Sequence, residues 1–218
     1  MASDSARAWN DTVIRSEADT AAVVLVHEVF GLTDSMVDLA QRLCEATEAT
    51  IYVPHLLDTD PFDRADQTIA YERFMTTLGP AALAARVLDY TAARLAKHYD
   101  AVYCVGVSVG ATAAWIASAS EQFDAVLPVY GSRIRDHLDI RPAGRAHLVF
   151  AEHEPSFDAH ELAPSLAAID RVSVEVVPFG HGFCSADSPT YAEAGLRTVL
   201  DAARTLTRGN VDAARLQL

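Results

Sequence analysis

Six short apolar runs divide the chain, at residues 22–27, 50–53, 101–105, 125–129, 147–151 and 172–177. They are rich in Val, Ile and Leu and mostly lack polar alternation, the pattern of strands buried on both faces of a parallel sheet. Between them the period changes. Met36, Leu39, Ala40 and Leu43 fall at i, i+3, i+4 and i+7, and Leu83, Val87, Thr91 and Leu95 step by four, so both segments predict amphipathic helices. After the last run, Ser188-Pro189 predicts a cap followed by proline at the first helical position, with Ala192, Leu196, Val199, Leu200 and Ala203 as the buried stripe. Strands alternating with helices predict an α/β fold, a doubly wound and mostly parallel sheet flanked by helices on both faces. A further short strand is expected near residues 12–15. Residues 54–66, with two prolines and four aspartates, read as a surface excursion placed to line a pocket, because such sheets bind ligands beyond the carboxyl ends of their strands.

Composition narrows the class. With 218 residues, 50% of them hydrophobic, the chain can bury one large core, and a single domain over residues 1–218 is expected. No apolar stretch approaches the roughly 20 residues that span a bilayer. Residues 1–7 hold no basic region followed by an apolar one, so no secretory signal is expected and a cytoplasmic location is. The three cysteines, Cys44, Cys104 and Cys184, are odd in number and far apart, which fits a reducing compartment. Cys44 in a helix pattern and Cys104 in a strand are expected to pack in the core. A net charge of −13 with no local Lys/Arg cluster argues against nucleic acid and membrane surfaces as partners. Monomer and dimer remain open.

The stretch Gly106-Val107-Ser108-Val109-Gly110 changes the picture from fold to chemistry. It follows an apolar run and opens a helix-forming segment, the strand, turn and helix that a G-x-S-x-G nucleophile elbow needs. Small residues two positions before and after the serine let so sharp a turn close. Ser108 is the candidate nucleophile.

A serine hydroxyl needs a base, and the base needs an acid that fixes its tautomer and offsets its positive form. Of eight histidines, His27 and His147 lie in predicted strands and His98 near a helix end. His181 follows the last strand between two glycines, where the chain order serine, acid, histidine puts the base. The loop after the fifth run offers Glu152, Glu154 and Asp158, with Glu154 preferred. Backbone amides of Val29 and Val109 are the expected oxyanion donors. The segment His27-Glu28-Val29-Phe30-Gly31 begins like a zinc helix but lacks the second histidine, so no metal is expected.

Four motifs in order resemble the dienelactone hydrolase family of the α/β-hydrolase superfamily: His27-Glu28-Val29-Phe30-Gly31-Leu32, the elbow at Gly106 to Gly110, Tyr130-Gly131, and His181-Gly182-Phe183. The resemblance runs from about Ala22 to the final helix. It implies an α/β-hydrolase fold, no cofactor, and cleavage of an ester or lactone through an acyl-enzyme. The family's best-known members carry cysteine at the elbow, switched on through the early glutamate, where this chain has Ser108. An ordinary serine mechanism is therefore expected, with Glu28 hydrogen-bonding near Ser108 or lining the pocket. Those members also hold a substrate carboxylate with arginines, one shortly after the histidine motif, where this chain reads Cys184-Ser185-Ala186-Asp187. Arg64 is the remaining candidate cation, and an uncharged ester or lactone is the expected substrate. Tyr130 and Cys184 are expected beside the pocket. A binding or scaffold protein on the same fold, and an acyltransferase or peptidase using the same triad, are the rival readings.

Overall fold

The computed structural model describes residues 9–95 and 98–215; residues 1–7, read above for a secretory signal, lie outside the described residues. The six apolar runs become β2 (Ala21–Val26), β3 (Thr50–Pro54), β4 (Ala101–Val107), β5 (Ala125–Val129), β6 (Arg145–His153) and β7 (Val172–Gly180). The short segment before them becomes β1 (Asp11–Ile14). All seven join one sheet in the order β1-β3-β2-β4-β5-β6-β7. β1 runs antiparallel to β3 and every other pairing is parallel.

The described residues form six α-helices: α1 (Asp34–Thr47), α2 (Gln67–Thr77), α3 (Gly79–Arg94), α4 (Val109–Ala117), α5 (Ala159–Ala167) and α6 (Glu193–Arg215). Because β2, β3 and β5 are buried almost throughout, each needs apolar partners above and below. On one face α1 and α6 bring Met36, Leu39, Leu43, Leu196 and Val199 against Val23, Leu25, Ile51 and Leu127. On the other, Leu83, Val87 and Tyr90 of α3 and Trp115 of α4 pack with Val24, Val26, Cys104 and Val126. Trp115 also satisfies its indole N–H, donating to the His137 carbonyl at 2.8 Å. Cys104 is a core residue, and Cys44 is half-buried against the α1/α6 layer.

Two expectations need correction. The Ser188-Pro189 pair does not cap α6, which starts at Glu193. Residues 188–190 instead form a turn in which Ser188 Oγ meets Thr190 Oγ1 at 2.8 Å, and Thr190 Oγ1 donates to the His181 carbonyl at 2.5 Å. Their hydroxyls satisfy the histidine loop rather than helix amides, a competition that side chains of this kind commonly enter. The excursion after β3 is also more than a surface loop. Leu56 and Leu57 are buried in the core, and the segment is stitched down by Leu56 N–H donating to His27 Nε2 at 3.1 Å and Phe62 N–H to the Phe30 carbonyl at 2.9 Å.

The strand order reverses between β2 and β4: the chain passes from β2 to β3 on one side, then returns past β2 to β4 on the other. A crevice opens at the carboxyl ends of the two strands flanking such a switch. Glu28 and Val29 follow β2 there, and Ser108 follows β4. Among the described residues no helix is long and apolar enough to cross a membrane.

Candidate active site

Ser108 stands between β4 and α4 with φ 54° and ψ −117°, a left-handed conformation that costs a non-glycine residue about 1–3 kcal/mol. The turn is held from both sides. Ser108 N–H donates to the Val129 carbonyl at 3.1 Å, and the Ser108 carbonyl accepts from Ala111 and Thr112 at 3.1 and 3.3 Å. The two motif glycines permit this closeness: a Cβ on Gly106 would overlap the Gly110 carbonyl, and one on Gly110 the Val26 carbonyl. The result lifts the Ser108 side chain to the rim of the sheet.

His181 reaches it from the loop after β7. Ser108 Oγ lies 3.0 Å from His181 Nε2, and His181 Nδ1 lies 2.8 and 3.0 Å from the two carboxylate oxygens of Glu154. Glu154 is wholly buried on its side chain, while His181 keeps 31% exposure. Gly182, with φ 89°, turns the chain directly behind the imidazole. Beneath the ring, Tyr130 places its centroid 4.9 Å away and is itself braced edge-on by Phe183. Of the three candidate acids, Glu152 lies within β6 and Glu154 and Asp158 follow it; among the described residues only Glu154 meets His181. Asp158 caps α5, accepting from His160 and Glu161 amides, and Glu152 pairs with His160 at 3.2 Å.

These residues open onto a cavity of about 750 Å³ lined also by Glu28, Val29, Val109, Tyr71 and Arg133. Val109 is the first residue of α4, so its amide has no partner inside the helix. A second groove, about 820 Å³, runs between α6 and the beginnings of β6 and β7, at the opposite end of those strands from Glu154 and His181. Size alone favours that groove, but its lining of Arg145, His147, Arg171 and Glu175 contains neither the elbow nor the histidine loop.

Glu28 lines the cavity but does not bond to Ser108. Arg64 grips both its oxygens, Nη2 to Oε1 at 2.9 Å and Nη1 to Oε2 at 3.3 Å, and Ser185 Oγ donates to Oε1 as well. Arg64 also meets Asp187 at 2.7 Å. Burial works against the Arg64 charge, yet Asp187 and Glu28 outweigh it and raise the pKa further. Asp187 is likewise disfavoured by burial but held below the usual carboxylate range by Arg64 and Ser35. Both terminal nitrogens of Arg64 are thus engaged by carboxylates, while its buried Nε has no hydrogen-bond partner. Cys184 and Tyr130 do not border the cavity as expected; they are buried behind it, the thiol 3.1 Å from the phenol oxygen. Burial pushes the Cys184 thiol up to about 12, which rules it out as a thiolate nucleophile at neutral pH. His27, too, lies just past β2 rather than in it, and serves structure: Nδ1 donates to the Glu28 carbonyl at 2.8 Å while Nε2 accepts from Leu56.

Sequence reasoning passed over Arg133, which donates through Nε to Tyr71 at 2.8 Å and pairs with Asp136 at 3.1 Å on the cavity wall. Its place one residue after Tyr130-Gly131-Ser132, at the carboxyl end of β5, was the available signal. Among the described residues no group of three or more His, Cys, Asp or Glu side chains is placed to hold a metal ion.

Comparison with known proteins gives the family and the fold. The model of the dienelactone hydrolase family matches residues 11–206. Uncharacterized protein YczH of Bacillus subtilis (strain 168) is 31% identical over 169 residues, 76% of this chain and 82% of that one. Among solved structures, the dienelactone hydrolase-like promiscuous phosphotriesterase P91 from metagenomic libraries superposes with a TM-score of 0.73 at 16% identity, covering 92% of each chain. XC6422 of Xanthomonas campestris, described as an α/β serine hydrolase without lid, gives 0.64 at 14% identity over 92% of this chain and 87% of that one. At such identities these two structures speak to the fold alone. The family match spans nearly all of the sheet and both halves of the crevice, and on that ground the chain belongs to the dienelactone hydrolase family of α/β hydrolases.

Proposed function

We propose that the protein is a serine esterase or lactonase that cleaves a small, uncharged ester or lactone through an acyl-enzyme. The observation that carries this reading is the continuous relay from Ser108 Oγ through both nitrogens of His181 to the buried carboxylate of Glu154. In this mechanism His181 Nε2 takes the hydroxyl proton as Ser108 Oγ attacks the ester carbonyl. Glu154 keeps the Nδ1 proton in place and offsets the imidazolium that forms. The carbonyl oxygen, now negative, faces the amides of Val29 and Val109, and His181 then gives its proton to the departing alkoxide. Water, deprotonated by the same nitrogen, attacks the acyl-enzyme, and the acid product leaves with Ser108 restored.

Uncharged substrates are favoured because each arginine on the cavity wall already faces a carboxylate: Arg64 meets Glu28 and Asp187, and Arg133 meets Asp136. Three free cysteines fit a cytoplasmic setting.

The test is hydrolysis of p-nitrophenyl acetate and butyrate by wild type and Ser108→Ala, with intact-mass detection of a fluorophosphonate adduct. Turnover and labelling that both vanish in the variant support the reading. A wild type that neither turns over nor labels makes the protein a binding module on this fold, and a wild type that labels but passes its acyl group to an amine or alcohol rather than water makes it an acyltransferase.

A further inference from the structure

One buried charge beside the nucleophile has no part in the proton relay. The Glu28 side chain is 4% exposed, gripped by Arg64 and by Ser185, and Arg64 continues to Asp187. Burying ions costs each its hydration, so such a cluster seldom outdoes apolar packing of the same volume in net stability. Its location is the more informative fact. Glu28 directly precedes Val29; Ser185 and Asp187 belong to the loop that carries His181; Arg64 comes from the excursion after β3, its guanidinium 4.7 Å over the Phe30 ring. Three separate loops are therefore tied at one point.

The tie transmits to the backbone because the residue it holds is itself rigid. The Glu28 carbonyl accepts from Gly31 N–H at 3.1 Å and from His27 Nδ1 at 2.8 Å. Where the Glu28 side chain is fixed, the following peptide, which bears the Val29 N–H, is fixed with it. Proton transfer to Glu28 has no geometric support: Ser108 Oγ is engaged by His181, and both Glu28 oxygens are taken by other donors.

We propose that Glu28, Arg64 and Asp187 form a positioning clamp that sets the Val29 amide against Ser108 and His181, with Glu28 carrying no proton in the reaction. The proposal rests on the serine-hydrolase reading above. Loss of one oxyanion donor costs on the order of 10²–10³ in rate, and a misplacement of about 1 Å costs on the order of 10². Since the oxyanion exists only after attack, releasing the clamp lowers kcat and leaves KM almost unchanged.

The experiment compares wild type, Glu28→Gln, Arg64→Met, the double variant Glu28→Gln/Arg64→Met, and Arg64→Lys. Hydrolysis of p-nitrophenyl butyrate is followed across pH, and inhibition is measured with a trifluoromethyl ketone, whose tetrahedral adduct carries the oxyanion. An inactive, unlabelled wild type overturns the serine-hydrolase reading itself. With an active wild type, the double variant is expected to lose about 10- to 100-fold in kcat with KM within about 3-fold, and the ketone Ki to rise in step with the fall in kcat/KM. The double variant leaves only the partly exposed Asp187 without its cation, so it keeps the test open where the single variants fail to fold. Arg64→Lys, a cation without the fork, is expected to recover part of the rate. A folded double variant with wild-type kcat and ketone affinity overturns the clamp, and so does a Glu28→Gln profile that loses an ionisation present in wild type, since that makes Glu28 a proton carrier.

Discussion

Glu154 presents both of its carboxylate oxygens to Nδ1 of His181, at 2.8 and 3.0 Å, from a side chain with no solvent exposure. The pairing leaves the imidazole one orientation and gives the positive charge formed during attack a counter-ion that water does not screen. Glu154→Gln removes that charge and lets the amide donate to Nδ1, favouring the wrong tautomer. A fall in kcat of about 10²- to 10⁴-fold is expected, with KM little changed. Glu154→Asp keeps the charge on a stem one methylene shorter, and an activity between wild type and Glu154→Gln is expected. Steady-state kinetics on p-nitrophenyl butyrate reads both; a fully active Glu154→Gln would remove the acid from the mechanism.

The elbow makes a separate demand on folding. A Cβ at position 106 or 110 meets backbone, which has no rotamer to retreat to, whereas one at Gly79 meets nothing within 4 Å and faces only the cost of φ +72°. Gly106→Ala and Gly110→Ala are therefore expected to lower stability by about 4 kcal/mol or more, and Gly79→Ala by about 1–2 kcal/mol. Urea denaturation of the three variants ranks them. Equal losses would mean that the turn at Ser108 can open without disturbing the sheet.

This contrast explains which parts of the molecule were legible in the sequence. The buried strands and the elbow are local in origin: a run of β-branched residues or two glycines flanking a serine states its requirement within a few positions. Glu154 was separable from Glu152 and Asp158 only as a preference, because all three fall within seven residues and only the end of β6 at His153 and the start of α5 at Ala159 tell them apart. The clamp was hidden for a stronger reason. Glu28 and Ser185 are 157 residues apart, and nothing in either segment names the other. Ser188-Pro189 misled because a helix cap and a loop-stabilising turn use the same hydroxyl chemistry, and only the position of the His181 carbonyl decides between them.

His27 gives the fold a pH dependence of known sign. Burial lowers its pKa from 6.5 to about 4, against the opposing bond to the Glu28 carbonyl and with a small added push from His55. Above pH 6.5 neither the folded nor the unfolded chain protonates this group, so its contribution is complete there. As pH falls from 6.5 to 4 the unfolded chain takes up the proton and the folded one does not, and stability is lost over that window, by about 3 kcal/mol in all. Below pH 4 the loss from this group levels off. The expected result is that the urea midpoint of wild type drops more between pH 7 and pH 4.5 than that of His27→Gln, although the variant starts lower for want of the Leu56 partner. Parallel curves for the two proteins would mean that the buried ring charges without opening the structure.

Charge on the cavity wall sets the last expectation. Glu28, Glu154 and Asp187 face it with Arg64 and Arg133, one more carboxylate than cation, and each of those cations is already paired. An anionic substrate must therefore either break a formed ion pair or sit against a net negative wall. At a partly exposed site that repulsion is on the order of 1 kcal/mol, about 5- to 10-fold in rate. The p-nitrophenyl hemisuccinate is accordingly expected to show a kcat/KM about 5- to 10-fold below that of the neutral butyrate, a gap that narrows as salt screens the wall. Asp187→Asn removes one negative charge and loosens one partner of Arg64, and it is expected to narrow the ratio between the two esters further while both rates fall with the loosened clamp. Faster turnover of the hemisuccinate than of the butyrate by wild type would show that Arg64 or Arg133 leaves its carboxylate to meet the substrate, and the preference for uncharged esters would fall with it.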